Sequence, residues 1–194
     1  MVTPVENIIN TIKCEQYRPI NTLRTCEKII EKIVKDQLEE YFEKHSLLSK
    51  YQSGFRMRYS GQTPINYVIN RWKFIGNDRK VRAVLLNFKR AFKTIDRDIL
   101  LQKLSCYSIK DKELKWFSLY LTRRRQITKL NGVEPSMGEN DFGIPQNSIL
   151  RALLFIIFIN DIENVIEKCE IVLYTDGTLI FTECKTCEEC YEQQ

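Results

Sequence analysis

Histidine is almost missing from this 194-residue chain, which holds one, His45. Glycine (7) and proline (5) are scarce too, which argues against a loop-rich fold and for long elements with few connections. No long apolar run occurs. The longest uninterrupted one, Ala152 to Ile159, falls far short of the roughly 20 residues a membrane-crossing helix needs, so no membrane role is expected and a buried core segment is the simpler reading. Met1 to Lys13 mixes polar and apolar residues and does not read as a secretory leader. Internal repeats and low-complexity linkers are lacking as well. What is present is 43% hydrophobic and 28% charged residues, enough for a packed core and too apolar for disorder. A net charge of +5 is compatible with a polyanion partner and does not demand one. Seven cysteines, an odd number, with no leader point to reduced thiols and an intracellular protein, nucleus or cytoplasm left open.

The apolar spacing over residues 22–43 predicts a helix. Ile29, Ile30, Ile33, Val34, Leu38, Tyr41 and Phe42 face the core, and Glu and Lys take the other side. Tyr17 to Ile20 reads as an extended lead-in. Leu47 to Arg58 reads as a loop hinged at Gly54. Thr63 to Phe74 reads as a second helix with Pro64 in its first turn. After a turn at Gly76-Asn77-Asp78, the run Val81 to Phe88 reads as a buried strand. Asp96 to Leu104 and Lys110 to Leu121 read as helices. Arg125 onward forms a hairpin about Asn131-Gly132, and Asn147 to about Ile166 is helical by length. Two short β-rich runs then flank Asp176-Gly177, a strong local signal for a tight hairpin, and a short polar helix ends the chain. Trp72, Phe74, Trp116 and Phe117 sit at helical spacing and read as core. The order of elements is that of an α+β domain.

Three segments could bring functional groups together at the hairpin tip. They are Leu86-Asn-Phe-Lys-Arg-Ala-Phe92 at a strand end, Gly143-Ile-Pro-Gln-Asn-Ser148 leading into an apolar helix, and Tyr174-Thr-Asp-Gly-Thr178. In this order they resemble the palm of a reverse transcriptase, of the type encoded by non-LTR (LINE-type) retrotransposons. There the strand end reads Asp-Phe/Leu-x-Lys-Ala-Phe-Asp, the loop reads Gly-Val-Pro-Gln-Gly-Ser, and the hairpin reads Tyr/Phe-Ala-Asp-Asp-Thr. Tyr17 to Ile20 with Glu27-Lys28-Ile29 resembles the start of the family's fingers. Gln52 to Arg56 resembles its fingers loop, and Ile159 to Ile162 the end of the helix after the Pro-Gln loop. The six collinear matches run from about Tyr17 to Glu183.

The resemblance implies a right-hand polymerase architecture of fingers and palm, with an antiparallel palm sheet packed on helices and no thumb. Residues 1–80 would carry the N-terminal extension and fingers-like helices, and residues 81–194 the palm-like region. It implies RNA-templated DNA synthesis from a DNA primer and dNTPs, with two Mg²⁺ ions held by carboxylates roughly 3.5–4 Å apart. Those carboxylates belong at positions 87, 176 and 177, where this chain has Asn87, Asp176 and Gly177. Asp176 and the backbone carbonyl of Phe88 remain as weak Mg²⁺ ligands. Arg56, Phe88, Phe92 and Gln146 match nucleotide-binding positions. Asn147 replaces a Gly, Arg151-Ala152 replace Gly-Pro, and Lys93 replaces an acid. A side chain at 147 is expected to obstruct the close approach that Gly allows. An impaired or dead copy follows, the alternative being a non-catalytic module that binds RNA–DNA hybrids. The sequence leaves the oligomeric state open.

Two further clusters carry less. Cys184, Cys187 and Cys190 lack a fourth ligand, and His45 is remote, so free thiols are favoured over zinc. Arg123-Arg124-Arg125 reads as a solvated turn by itself and as a phosphate contact by the resemblance.

Overall fold

The structure is a computed structural model. It describes residues 2–6, 17–21, 23–76, 79–88, 90–122, 125–126, 138–139, 142–145, 147–166 and 168–185. In chain order the elements are β1 (Val2–Glu6), β2 (Tyr17–Asn21), α1 (Thr25–Lys44), α2 (Gln62–Lys73), β3 (Lys80–Asn87), α3 (Arg97–Cys106) and α4 (Asp111–Leu121). They continue with β4 (Arg125–Gln126), β5 (Gly138–Glu139), α5 (Arg151–Phe158), a 3-10 turn (Ile162–Val165), β6 (Glu170–Tyr174) and β7 (Gly177–Cys184). Two compact units are present, each built from two stretches: residues 1–41 with 92–155, and residues 42–91 with 156–194.

In the first unit β1 and β2 pair antiparallel, with Pro4 opposite Pro19, so the extended lead-in at Tyr17 is one strand of a ribbon. The first half of α1 departs from the amphipathic expectation. Ile29, Ile30 and Ile33 are about half exposed, whereas Glu31 is 1% exposed. The inversion has a polar cause. Glu31 accepts from the Tyr120 hydroxyl at 2.7 Å and from the Ile149 backbone N–H at 2.8 Å, and the same hydroxyl lies 2.6 Å from Ser148 Oγ. A buried carboxylate with such partners satisfies an orphan N–H at the approach to α5. Asp96 caps α3 by accepting from Asp98 and Ile99 N–H. The β4–β5 rungs, Arg125 with Glu139 and Gln126 with Gly138, support the expected hairpin. Its Asn131-Gly132 turn lies outside the described residues, as do Arg123 and Arg124.

The second unit holds a three-stranded antiparallel sheet in the order β3-β7-β6. The sequence pattern predicts β3 as buried, but it is an edge strand. Leu85 is 80% and Leu86 38% exposed. A continuous apolar run marks a strand covered on both faces, and here α2 packs toward β6 and β7 instead. Arg71 of α2 pairs with Glu170 of β6 and Glu183 of β7, Tyr67 donates to Glu170, and the Trp72 ring meets Phe181 edge-on at 5.9 Å. That leaves Trp72 40% and Phe74 85% exposed, against the expectation of core, while Phe117 at 4% meets it.

The apolar segment 153–157 is buried to 2% exposure or less, as its composition predicts. Its helix is shorter than the 147–166 expectation, because a turn follows Phe158 and Asn160 leaves the helical ladder to accept from Ser49 N–H and donate to Leu47 O. Among the described residues no helix is long and apolar enough to cross a membrane. Cys184 is 5% exposed. Cys187, Cys190 and the expected final helix lie outside the described residues.

Candidate active site at the β6–β7 turn

The hairpin is where the sequence places it, but its turn is shifted by one residue. Tyr174 pairs with Gly177, so the two turn residues are Thr175 and Asp176, and Gly177 opens β7. Positive φ falls on Thr175 (56°) rather than on the glycine. A β-branched residue there is a genuine outlier, and one positive φ at the first turn position is the type II′ pattern. Thr175 Oγ1 donates to Asp176 Oδ1 at 2.9 Å.

The register then assembles the motif residues of this unit. Asn87, the last residue of β3, is the direct partner of Gly177. Phe88 N–H donates to the Asp176 carbonyl at 3.3 Å, and the Phe88 carbonyl accepts from Ala91 N–H at 3.2 Å. Asn87, Phe88, Asp176 and Gly177 therefore meet at one sheet end. One carboxylate stands among them, beside a neutral amide and a glycine. Among the described residues no group of three His, Cys, Asp or Glu could hold a metal ion.

Arg56 is committed elsewhere. Its Nε and Nη2 donate to the two Glu43 carboxylate oxygens at 2.9 and 2.8 Å, and Nη1 donates to Ser49 O at 3.0 Å and Gln52 O at 3.3 Å. The fork holds the Glu43 carboxyl below its ordinary pKa and raises that of Arg56. In this arrangement Arg56 braces its loop. Gly54, predicted as a hinge, is a packing glycine: an ideal Cβ there would lie 2.1 Å from Thr175 N.

The remaining motif residues belong to the other unit. Gly143 has φ 74°, and an ideal Cβ would lie 2.7 Å from Lys93 Cα, Lys93 O and Phe92 O, so only glycine fits. Its loop is laced to residues 92–97. Gly143 N–H donates to Ile95 O, Ile144 N–H to Phe92 O, and the buried Arg97 to the carbonyls of Gly143 and Phe142. Phe92 is half-buried, with its ring 5.0 Å from Phe155 and the Arg151 guanidinium 4.5 Å above it. Burial lowers the Arg151 pKa from its ordinary value. Asn147 is exposed and has φ 63°. The position thus keeps the left-handed backbone that suits Gly, and Asn tolerates it better than most residues. Gln146 lies outside the described residues.

Residues 8–193 match the family Reverse transcriptase (RNA-dependent DNA polymerase), and the chain belongs to this family. Its similarity to mobile-element polymerases places it with the LINE-type reverse transcriptase domains. It is 25% identical over 180 residues to the RNA-directed DNA polymerase from mobile element jockey of Drosophila melanogaster, covering 89% of this chain and 20% of that protein. It is 24% identical over 152 residues to the probable RNA-directed DNA polymerase from transposon BS of the same organism, covering 76% of this chain and 16% of that protein. The chain thus spans a fifth or less of the length of these relatives.

Among solved structures, apo telomerase from Candida tropicalis truncated from its C-terminal domain superposes with a TM-score of 0.60 at 10% identity, over 91% of this chain and 43% of that one. Telomerase from the same organism, in complex with the TWJ fragment of telomeric RNA, gives 0.59 at 8% identity over 87% and 30%. At that identity the likeness speaks for the fold, a partial reverse transcriptase fold of mixed helix and sheet. The family generally uses divalent metal ions.

Proposed function

We propose that this chain is a LINE-type reverse transcriptase domain that keeps the polymerase fold and has lost the charge its two-metal chemistry requires. In this reading residues 81–194 carry the palm, residues 1–80 lead into it through fingers-like helices, and the ancestral reaction is RNA-templated extension of a DNA primer with dNTPs and Mg²⁺. The observation that carries it is the pairing of Asn87 with Gly177 beside Asp176. Three positions of one sheet end match the family's acidic positions, and one acid remains.

The size of the loss decides the outcome. At contact distance and an effective dielectric near 20, each missing carboxylate forfeits about 4 kcal/mol per unit of metal charge. A quarter of that against a dication, about 2 kcal/mol, still costs about thirtyfold in rate, since about 1.4 kcal/mol is tenfold. Asp176 alone is a poor holder of two dications, which need several oxygen ligands each. Arg56 reinforces the reading, because Glu43 already engages its fork.

The test is primer extension on an RNA template with Mg²⁺ and with Mn²⁺, comparing the native chain with Asp176→Ala. Both are expected to remain at background. Incorporation by the native chain clearly above the variant would overturn the proposal.

A further inference from the structure

The loop before α2 reaches the turn directly. Ser53 N–H donates to Leu173 O at 2.9 Å and Leu173 N–H to Tyr51 O at 3.0 Å, so Gln52 bridges Leu173 in parallel and the loop adds one rung to the sheet. Leu173 in turn pairs with Thr178, which sets Gln52, Leu173 and Thr178 in one row. Gln52 is 2% exposed. Its Oε1 accepts from Gly54 N–H at 2.8 Å, and its Nε2 is buried with no hydrogen-bond partner, as is Thr178 Oγ1.

A buried orphan amide is costly. A methionine of the same length would avoid that cost. What glutamine supplies in exchange is the acceptor for Gly54 N–H. Gly54 itself lies against the turn, since an ideal Cβ would stand 2.1 Å from Thr175 N and 2.9 Å from both Thr175 Cα and Cγ2. Thr175 holds a φ of 56°, and such a conformation persists only where its surroundings over-determine it. Gly54 is the surrounding backbone here.

We propose that the Gln52–Gly54 loop is the positioning element for Asp176. Gly54 seats the Thr175 backbone, Gln52 fixes the Gly54 peptide, and together they set where the Asp176 carboxylate points. This rests on Thr175–Gly177 being the former catalytic tip, and adds to that reading the residues that aim it.

Amide hydrogen exchange on the full chain tests it. The reporters are Gly54 N–H, bonded to Gln52, and Phe88 N–H, bonded to the Asp176 carbonyl. Gln52→Met is expected to speed exchange at both by about tenfold while β3–β7 amides away from the tip stay within about twofold. Gly54→Ala is expected to do the same at Phe88. If that variant fails to fold, Gln52→Met alone decides. Unchanged exchange at Phe88 in Gln52→Met, or equal acceleration along the whole ladder, would overturn the proposal.

A second arm uses the chain carrying Asn87→Asp and Gly177→Asp. There Gln52→Met is expected to lower kcat for dNTP incorporation about tenfold with KM for dNTP within about threefold, the mark of misaimed chemistry rather than lost binding. If the Gln52-containing restored chain incorporates nothing, the polymerase reading is at fault, and the exchange data still decide the positioning role.

Discussion

Replacing Glu43 with glutamine probes the brace that holds the loop beneath the turn. Arg56 is the more buried partner, with its side chain 9% exposed against 35% for Glu43. Glu43→Gln keeps one acceptor and turns an NH₂ toward a guanidinium N–H. Fully buried ion pairs cost about 3–5 kcal/mol when one partner is removed, and exposed ones cost about 0.2–1. Glu43 is solvated for a third of its surface, and Arg56 keeps the carbonyls of Ser49 and Gln52, so about 2 kcal/mol is expected at pH 7. The pH dependence has a definite sign. The folded-state pKa of Glu43 is lowered from 4.5, first by the hydrogen bond from Arg56. Its contribution is therefore complete above 4.5 and disappears as pH falls through the lower folded value. Urea denaturation of the native chain and Glu43→Gln should show the full difference at pH 7 and a shrinking one below 4.5. Equal stability at pH 7, or a gap that does not narrow in acid, would show that the ion pair does not brace the loop.

Other substitutions test other parts of the structure. Glu31→Ala strips the Ile149 N–H and the Tyr120 hydroxyl of a buried acceptor. It should cost about 2–4 kcal/mol in chemical denaturation; a loss below about 0.5 kcal/mol, the range of ordinary surface changes, would show that the carboxylate is incidental. Gly143→Ala drives a Cβ into the Phe92–Lys93 backbone at positive φ. A loss of about 3 kcal/mol or more, or no soluble protein, is expected; near-native melting would contradict the loop geometry. Leu85→Lys, on the exposed edge strand, should change stability by less than about 0.5 kcal/mol, whereas a buried strand would lose several times that.

Much of the site was legible because its signals are local. Two apolar runs around Asp176-Gly177 announce a hairpin, and the Gly-x-Pro loop announces a glycine that only φ 74° explains. What was not legible depended on partners far along the chain. The turn slid to Thr175-Asp176 because the pairing of Tyr174 with Gly177 fixes the register, and local propensity favoured the glycine. The apolar run of β3 predicted burial, but α2 packs toward β6 and β7. Glu31 sits inside because Tyr120 and Ile149 meet it from distant positions. The ion pair of Arg56 was not legible because its partner Glu43 lies outside the matched fingers loop.

A hairpin that survives as structure while its charge is gone should show no metal-dependent stability of its own. Restoring Asn87→Asp and Gly177→Asp sets three carboxylates at one sheet end. About 5 Å apart at an effective dielectric of 20, like charges repel by up to about 3 kcal/mol, reduced to about 1 by the exposure of Asn87. The ideal Cβ at 177 would lie 3.3 Å from the Tyr174 carbonyl, a contact that small shifts can relieve. Without metal the restored chain should therefore be the less stable of the two. With Mg²⁺ at about 100 times its dissociation constant, it should gain about 2.7 kcal/mol, and the native chain under the same conditions less than about 0.5. A native chain that Mg²⁺ stabilises as much as the restored one would contradict the account.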